Sequence, residues 1–233
     1  MSDAGSAPQG ARRLCLVGAS GMVGQAVIAG SLGRSDLRVI GVARREVPLP
    51  QGARLEILVG DTADWPPLIA AARAQVLVCA LGTTRKAAGS DEAFRAVDYD
   101  LVLEVAKAAR ASGIEHMILV SSVGADRASR NLYLRTKGDI EDAVHKLGFR
   151  RLDILRPGLL RGHRAESRPL ESMAQVLNPV ADAIVLRGRF SKFRSISVRR
   201  LADVIFALSA EKTRGRFIHE HEAMMRALRR AGD

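Results

Sequence analysis

The strongest constraint on the fold of this chain is the alternation of short apolar runs with stretches of helical periodicity. Continuous apolar runs of strand length are typical of parallel strands buried on both faces, and the helical stretches supply the crossover connections. We therefore predict an α/β fold with a doubly wound, mostly parallel sheet and helices on both faces. The predicted strands are Arg13–Gly18, Arg38–Ala43, Leu55–Val59, Gln75–Ala80, His116–Ser121 and Arg151–Arg156. The predicted helices are Met22–Leu32, Thr62–Ala74 with Pro66 and Pro67 in its first turn, Asp91–Ser112, Tyr133–Leu147, Val198–Ala210 and Glu220–Arg230.

A glycine-rich turn follows the first predicted strand and opens the first predicted helix. At this position the first glycine permits a tight turn, the second lets the backbone approach a pyrophosphate, and the third allows close packing of helix on strand. The free N–H groups at the start of the helix can bind phosphate oxygens. The turn therefore predicts a dinucleotide site, with contacts from Gly18, Ser20, Gly21, Met22, Val23 and Gly24.

The residues that close the second strand favour NADP over NAD. An NAD site usually carries an acidic residue about 20 positions after the glycine turn, where it binds the ribose 2′-hydroxyl. Here that place is Ala43, followed by Arg44 and Arg45. Guanidinium groups bind a 2′-phosphate well, whereas a carboxylate would repel it. We expect NADP(H) as the cofactor, with NADPH preferred over NADH, although Arg45 could equally be an ordinary solvated arginine.

Further cofactor contacts are predicted at other strand ends, because ligands of open α/β sheets bind outside the carboxyl ends of the strands. Asp61 follows the third strand and is placed near the adenine. An equally good alternative is that Asp61, or its rival Thr62, caps the next helix. The fourth strand contributes Ala80, Leu81 and Gly82.

A tyrosine and a lysine four residues apart follow the fifth predicted strand. On a helix Tyr133 and Lys137 point from one face. An ammonium beside a phenol stabilises the phenolate, so the phenol can exchange a proton with an alcohol or carbonyl oxygen. A serine at the end of the strand, Ser122 or alternatively Ser121, can hold the same oxygen. Such pairs are common in helices, but this position in a dinucleotide fold favours catalysis.

These motifs together resemble the atypical branch of the short-chain dehydrogenase/reductase superfamily, and most of all the Tat-interacting oxidoreductase-like proteins. The resemblance covers nearly all of the chain from Arg13 onward. It rests on the glycine turn GASGMVG, the arginine pair, VSSVGAD at Val120–Asp126, YLRTKGDIE at Tyr133–Glu141, LRPGLL at Leu155–Leu160 and ESRP at Glu166–Pro169.

The resemblance implies a Rossmann sheet of about seven strands with a small C-terminal substrate region. It also implies a catalytic triad of Ser122, Tyr133 and Lys137, with the tyrosine and lysine also at the cofactor. Arg156, Pro157 and Gly158 would border the nicotinamide. Two features depart from the family.

Many members carry an asparagine that supports the lysine through water, whereas this chain has Asp98 in the comparable stretch, so that Asp98 substitutes or the relay is absent. The C-terminal region is also short beside members that act on nucleotide sugars, which disfavours that substrate class.

The function expected from these residues is NADP(H)-dependent oxidoreduction of a small carbonyl or alcohol. The alternative is a non-catalytic NADP(H)-binding protein that regulates a protein partner or senses redox state. A homodimer is left open. Residues 1–12 are expected to form a tail and 13–233 a single domain, with 159–194 as the substrate or lid segment. Arg161, Arg164 and Arg168 would bind an anionic substrate there, unless they are simply solvated.

Charge and composition exclude several other functions. The net charge of +11 comes mainly from arginines scattered along the chain, without the long basic blocks or interleaved aromatics of a specific nucleic-acid site. Cys15 and Cys79 lie inside apolar runs, which favours buried, reduced thiols rather than a metal site. Neither a membrane-spanning run of about 20 apolar residues nor an apolar signal segment is present, so we expect a cytoplasmic protein without membrane contacts.

Overall fold

The computed structural model describes residues 10–53, 55–162 and 188–232. Seven parallel strands form one sheet in the order β3-β2-β1-β4-β5-β6-β9, while β7 and β8 pair separately. The sequence prediction of a doubly wound parallel sheet is thereby confirmed. The strands are β1 (Arg12–Val17), β2 (Leu37–Ala43), β3 (Glu56–Val59), β4 (Val76–Cys79), β5 (His116–Val120), β6 (Arg151–Leu155), β7 (Leu160–Arg161), β8 (Ile196–Ser197) and β9 (Gly215–His219).

Helices cover both faces of the sheet, and each face has its own apolar core. Successive residues of a strand point to opposite faces, so Leu14 and Leu16 of β1 enter one core while Cys15 and Val17 enter the other. The first core contains side chains of α1 (Met22–Gly30), α7 (Val198–Ser209) and α8 (His221–Gly232). The second contains side chains of α2 (Trp65–Ala71), α5 (Val102–Ala111) and α6 (Leu132–His145). The short helices α3 (Arg85–Ala88) and α4 (Asp91–Arg95) lie between β4 and α5.

Two predicted helices are divided in the structure. The stretch predicted as Thr62–Ala74 begins with a 3₁₀ turn, Thr62–Asp64, before α2, which carries its two prolines in the first turn as expected. The stretch predicted as Asp91–Ser112 consists of α4, a π-helical segment at Ala96–Leu101 and α5. Apolar periodicity does not reveal the extra residue of a π turn, because such turns depend on tertiary contacts.

The C-terminal part is more regular than the sequence pattern indicates. Strand β9 continues the sheet beyond β6 and pairs with it in parallel, with Asp153 opposite Phe217. Its apolar signal is weak because β9 is an edge strand, with Arg216 and Ile218 exposed to solvent. Of the segment expected to form a lid, 163–187 lies outside the described residues.

Both cysteines are free and buried, as predicted from their apolar surroundings. Burial raises the pKa of Cys15 to about 12 and that of Cys79 to about 11. The two thiols therefore stay protonated at neutral pH and pack as small apolar side chains.

A buried polar cluster joins β5, β6 and β9. Asp153 accepts hydrogen bonds from Nε of Arg151 at 2.6 Å and from Nη2 at 2.8 Å, and its carboxylate lies 2.8 Å from Nε2 of His116 and 2.7 Å from Nε2 of His219. Burial by itself raises the pKa of Asp153, but these hydrogen bonds and the charge of Arg151 hold it well below its ordinary value. One fully buried carboxylate thus ties three neighbouring strands together.

We expect Asp153→Asn to lower the free energy of unfolding by about 3–5 kcal/mol at neutral pH, because Arg151 would stay buried without its counter-charge. Since folding lowers the pKa of Asp153, its contribution is present above the unfolded value of about 3.9 and is lost as the pH falls below it. Denaturant unfolding at several pH values checks both points. The difference in free energy of unfolding between parent and variant should decrease below about pH 4.

The matched control for this prediction is Glu115→Gln. Glu115 pairs with Arg150 at 3.5 Å on the surface beside the cluster, and both side chains are about half exposed. Loss of this surface ion pair should lower the free energy of unfolding by less than about 1 kcal/mol. An Asp153→Asn protein as stable as this control would contradict the role assigned to the cluster.

Candidate active site

The glycine turn presses directly against the segment that follows β4. Gly18 has φ +95°, and a methyl group on it would lie 2.6 Å from the carbonyl carbon of Ala80. A methyl group on Gly24 would collide with the carbonyl oxygen of Gly18. Only glycine fits at these two positions, which agrees with the tight turn and the close helix packing expected from the sequence.

The second half of the turn is open to solvent. Ser20 and Gly21 are exposed, and Gly21 stands at the N-cap of α1 without a side chain to occupy the first N–H groups of the helix. The side-chain amide of Gln25 donates to the carbonyl of Ala19 at 3.0 Å and holds the loop in place. Met22 and Val23, also expected near the cofactor, form the first turn of α1. The exposed backbone can bind an anionic group such as a pyrophosphate.

The ends of β2 and β3 lie side by side, because the N–H of Gly60 donates to the carbonyl of Ala43 at 3.1 Å. Arg44 and Arg45 are both exposed there, and neither forms an ion pair with a residue that the structure describes. Asp61 is exposed too. It occupies the N-cap position of the 3₁₀ turn, but its side chain makes no capping hydrogen bond.

The segment after β4 connects the glycine turn to the Tyr133/Lys137 pair. The N–H of Ala80 donates to the carbonyl of Val17 at 2.8 Å, and Leu81 packs against the second core. A methyl group on Gly82 would lie 3.4 Å from Oδ1 of Asp98 and 3.7 Å from Nζ of Lys137. The residues predicted from the glycine turn and those predicted from the helix therefore meet along one edge of the sheet.

Tyr133 and Lys137 share one face of α6, as their spacing predicts. The helix begins at Leu132, and the side chain of Asn131 accepts the N–H of Leu134 at 3.2 Å. Tyr133 is 37% exposed, and the Nζ of buried Lys137 lies 6.0 Å from the centre of its ring. An accessible phenol thus stands beside a buried ammonium.

Asp98 holds Lys137 directly. Its Oδ1 lies 2.8 Å from Nζ of the lysine, and its Oδ2 accepts the N–H of Thr83 at 2.8 Å. Burial is the largest single effect and lowers the pKa of Lys137, but the charge and hydrogen bond of Asp98, together with Tyr133 and Cys79, raise the pKa above its ordinary value. Of the two alternatives left open by the sequence, Asp98 as a substitute for the family's asparagine is the one that the geometry favours.

The two candidate serines differ in their partners. Ser121 is buried and its hydroxyl donates to Oε1 of Glu141 at 2.5 Å. Ser122 is half-buried, and its hydroxyl makes a longer hydrogen bond, at 3.4 Å, to the carbonyl of Val123. Glu141 also accepts hydrogen bonds from Arg156 at 3.0 Å and 2.5 Å. Ser122 therefore keeps the more available hydroxyl.

The segment expected to border the nicotinamide lies next to these serines. The guanidinium of Arg156 is directed into Glu141, whose hydrogen bonds raise the pKa of the arginine. The carbonyl of Pro157 accepts the N–H of Val123 at 3.0 Å, and Gly158 packs against the backbone of residues 193–194. Sequence reasoning missed the role of Glu141, although its position four residues after Lys137 on the same helix face was visible.

The arginines proposed for an anionic substrate are only partly within the described residues. Arg161 is exposed in β7. Arg164 and Arg168 lie outside the described residues, so this assignment stays a prediction.

The glycine turn, the strand ends and the Tyr133/Lys137 pair all lie within a segment that a known sequence family shares. A family described as NAD(P)H-binding matches residues 18–212. This chain belongs to the NAD(P)H-binding family. The resemblance stated from the motifs is confirmed at the level of family and fold.

Curated fungal proteins are similar to most of the chain. Protein fmp52, mitochondrial, of Emericella nidulans is 41% identical over 169 residues, which cover 70% of this chain and 72% of that protein. Protein FMP52, mitochondrial, of Candida albicans is 35% identical over 193 residues, covering 80% and 84% respectively. The chain is thus a relative of the FMP52 proteins within the NAD(P)H-binding family.

The expected cytoplasmic location is wrong, because these relatives are named as mitochondrial proteins. The sequence argument rested on the lack of apolar segments, whereas mitochondrial targeting segments are amphipathic and arginine-rich rather than apolar. No helix among the described residues combines the length and apolar character needed to cross a membrane.

Solved structures with the same architecture bind NAD. The enzyme WbmH of Bordetella bronchiseptica in complex with NAD⁺ aligns over 90% of this chain and 75% of its own, with a TM-score of 0.66 and 16% identity. UDP-glucuronic acid 4-epimerase of Bacillus cereus in complex with NAD aligns over 89% and 78%, with a TM-score of 0.62 and 14% identity. At these identities the likeness establishes the Rossmann-like fold alone.

We expect Gly21→Ala to weaken NADPH binding at least about tenfold while leaving the fold intact, because only backbone can approach a pyrophosphate closely there. A methyl group on Gly21 would lie 3.4 Å from the carbonyl oxygen of Gly18, an ordinary contact. Fluorescence titration with NADPH and thermal unfolding check the two effects. Gly18→Ala is the contrast, since it should lower the melting temperature strongly. Unchanged NADPH affinity in Gly21→Ala would contradict a pyrophosphate site at this turn.

Proposed function

We propose that the protein is an NADP(H)-dependent oxidoreductase of the short-chain dehydrogenase type, which transfers hydride between nicotinamide and a small carbonyl or alcohol. The observation that carries this proposal is the exposed Tyr133 beside the buried ammonium of Lys137, at the same sheet edge as the glycine turn. Membership in the NAD(P)H-binding family supports the cofactor class.

The residues along this edge fit an extended dinucleotide. Gly18 and Gly24 let the turn pack closely against the neighbouring backbone, where any Cβ would collide. The exposed backbone at Gly21 suits a pyrophosphate. We infer that Arg44 and Arg45 bind the 2′-phosphate and that Asp61 lies toward the adenine. Lys137 would bind the nicotinamide ribose.

The reaction needs little from the protein beyond proton transfer and orientation. When bound, the dinucleotide supplies the hydride that adds to the carbonyl carbon. Tyr133 gives its phenolic proton to the carbonyl oxygen, and the ammonium of Lys137 stabilises the phenolate that remains. Ser122 donates a hydrogen bond to the same oxygen and fixes its position. In the oxidative direction Tyr133 takes the proton of the alcohol back.

We expect Tyr133→Phe to lower turnover by about 10²–10⁴-fold, because the general acid is lost, while NADPH affinity stays within about twofold. The measurement is NADPH oxidation with a panel of small aldehydes and ketones, alongside calorimetric binding. Tyr99→Phe is the matched control, since Tyr99 is the other tyrosine of the chain and stacks on Arg95 at 4.3 Å. Full activity of Tyr133→Phe would rule out the mechanism. NADPH binding without turnover by the parent would favour the regulatory alternative.

We expect Arg44→Ala, and to a smaller extent Arg45→Ala, to weaken NADPH binding by about 10–100-fold and to leave NADH binding nearly unchanged. The reason is that only NADPH carries the 2′-phosphate with which a guanidinium forms charge-assisted hydrogen bonds. Titration of each variant with both nucleotides checks the selectivity. Arg199→Ala, an exposed arginine on α7, controls for net charge. An equal loss of affinity for NADPH and for NADH would contradict recognition of the 2′-phosphate.

A further inference from the structure

Lys137 does not act as an isolated positive charge. Its side chain is 6% exposed, that of Asp98 is fully buried, and the distance between Nζ and Oδ1 is 2.8 Å. A buried ammonium without a counter-charge tends to lose its proton, because burial disfavours the charged form. The protonation state of Lys137 therefore depends on the charged groups in contact with it.

Three separate elements hold Asp98 in place. The π-helical segment Ala96–Leu101 carries it on the side of α6, the N–H of Thr83 after β4 fixes Oδ2, and Lys137 on α6 binds Oδ1. Gly82 lies directly against this pair, because a methyl group on it would contact both charged groups. π turns often occur at functional sites, and this one carries the buried Asp98.

Among the residues that the structure describes, three titratable groups affect Lys137. They are Asp98 from the π-helical segment, Tyr133 from α6 and Cys79 from the end of β4. The Cys79 thiol is protonated at neutral pH because burial raises its pKa to about 11. Among these groups Asp98 is the one whose carboxylate lies within ion-pair distance of the ammonium, at 2.8 Å.

We propose that Asp98 is a positioning residue that keeps the buried ammonium of Lys137 protonated and aimed at Tyr133. This deepens the proposed function and rests on it for the catalytic consequence. A neutral asparagine could keep the hydrogen bond from Thr83 but would not offset the burial of the charge. The direct ion pair extends the pH range in which Lys137 can stabilise the phenolate toward the basic side.

The first test follows the titration of Lys137 itself by the NMR signal of its ε-carbon, assigned with Lys137→Arg. In Asp98→Asn the midpoint should fall by about one pH unit or more relative to the parent. Asp100→Asn removes the same charge from an exposed position of the same π-helical segment and should leave the midpoint in place. An unchanged midpoint in Asp98→Asn would overturn the inference.

A second test covers the case in which Asp98→Asn folds poorly. The double variant Asp98→Asn/Lys137→Met removes both charges, so it should regain a large part of the melting temperature that the single variant loses. If the melting temperature of the double variant instead falls by the sum of the losses of the two single variants, a direct role of Asp98 toward Lys137 is overturned.

The catalytic consequence separates this inference from the proposed function. With a turning-over substrate, the basic limb of the pH–rate profile should move toward acid in Asp98→Asn and stay in place in Asp100→Asn. Absence of turnover in the parent would contradict the proposed function, and the lysine titration would still decide the role of Asp98. Turnover with an unshifted basic limb in Asp98→Asn would contradict the inference alone.

Discussion

The contact between the backbone of Gly18 and the carbonyl of Ala80 fixes the geometry on which the candidate site depends. It brings the turn after β1 against the segment after β4, at the place where the strand order of the sheet reverses. A crevice at such a reversal is where parallel α/β sheets bind ligands. Because Gly82 in the same segment lies against the Asp98/Lys137 pair, one short stretch of backbone joins the glycine turn to the Tyr133/Lys137 pair.

Two buried carboxylates, in different parts of the fold, each neutralise a buried positive charge. Asp153 lies in β6 and neutralises Arg151 while holding two histidines, so its effect is on the stability of the sheet. Asp98 lies at the carboxyl edge and neutralises Lys137, beside an exposed tyrosine. Each burial is tolerable because a counter-charge and further hydrogen bonds accompany it. What distinguishes the structural cluster at Asp153 from the candidate site at Asp98 is the exposed tyrosine beside the latter.

Local patterns predicted much of this structure. Continuous apolar runs predicted six strands of the parallel sheet, and the spacing of Tyr133 and Lys137 predicted their common helix face. Features that depend on contacts between distant parts of the chain, or that lie at the edge of the sheet, were not predicted. The π-helical turn and the pairing of Ser121 with Glu141 depend on residues that are distant in sequence. The edge strand β9 carries only a weak apolar signal, because part of it is exposed to solvent. The cytoplasmic assignment failed for a different reason, since an absent apolar segment says nothing about a mitochondrial address.

The central claim is that this chain binds NADP(H) along the edge from Arg44 to Tyr133. The most direct measurement is calorimetric titration of the purified protein with NADPH and NADH. We expect saturable binding of NADPH at one site, at least about tenfold tighter than binding of NADH, since a guanidinium–phosphate contact is available only to NADPH. Equal affinity for the two nucleotides would contradict the NADP assignment, and no binding of either would contradict the dinucleotide site.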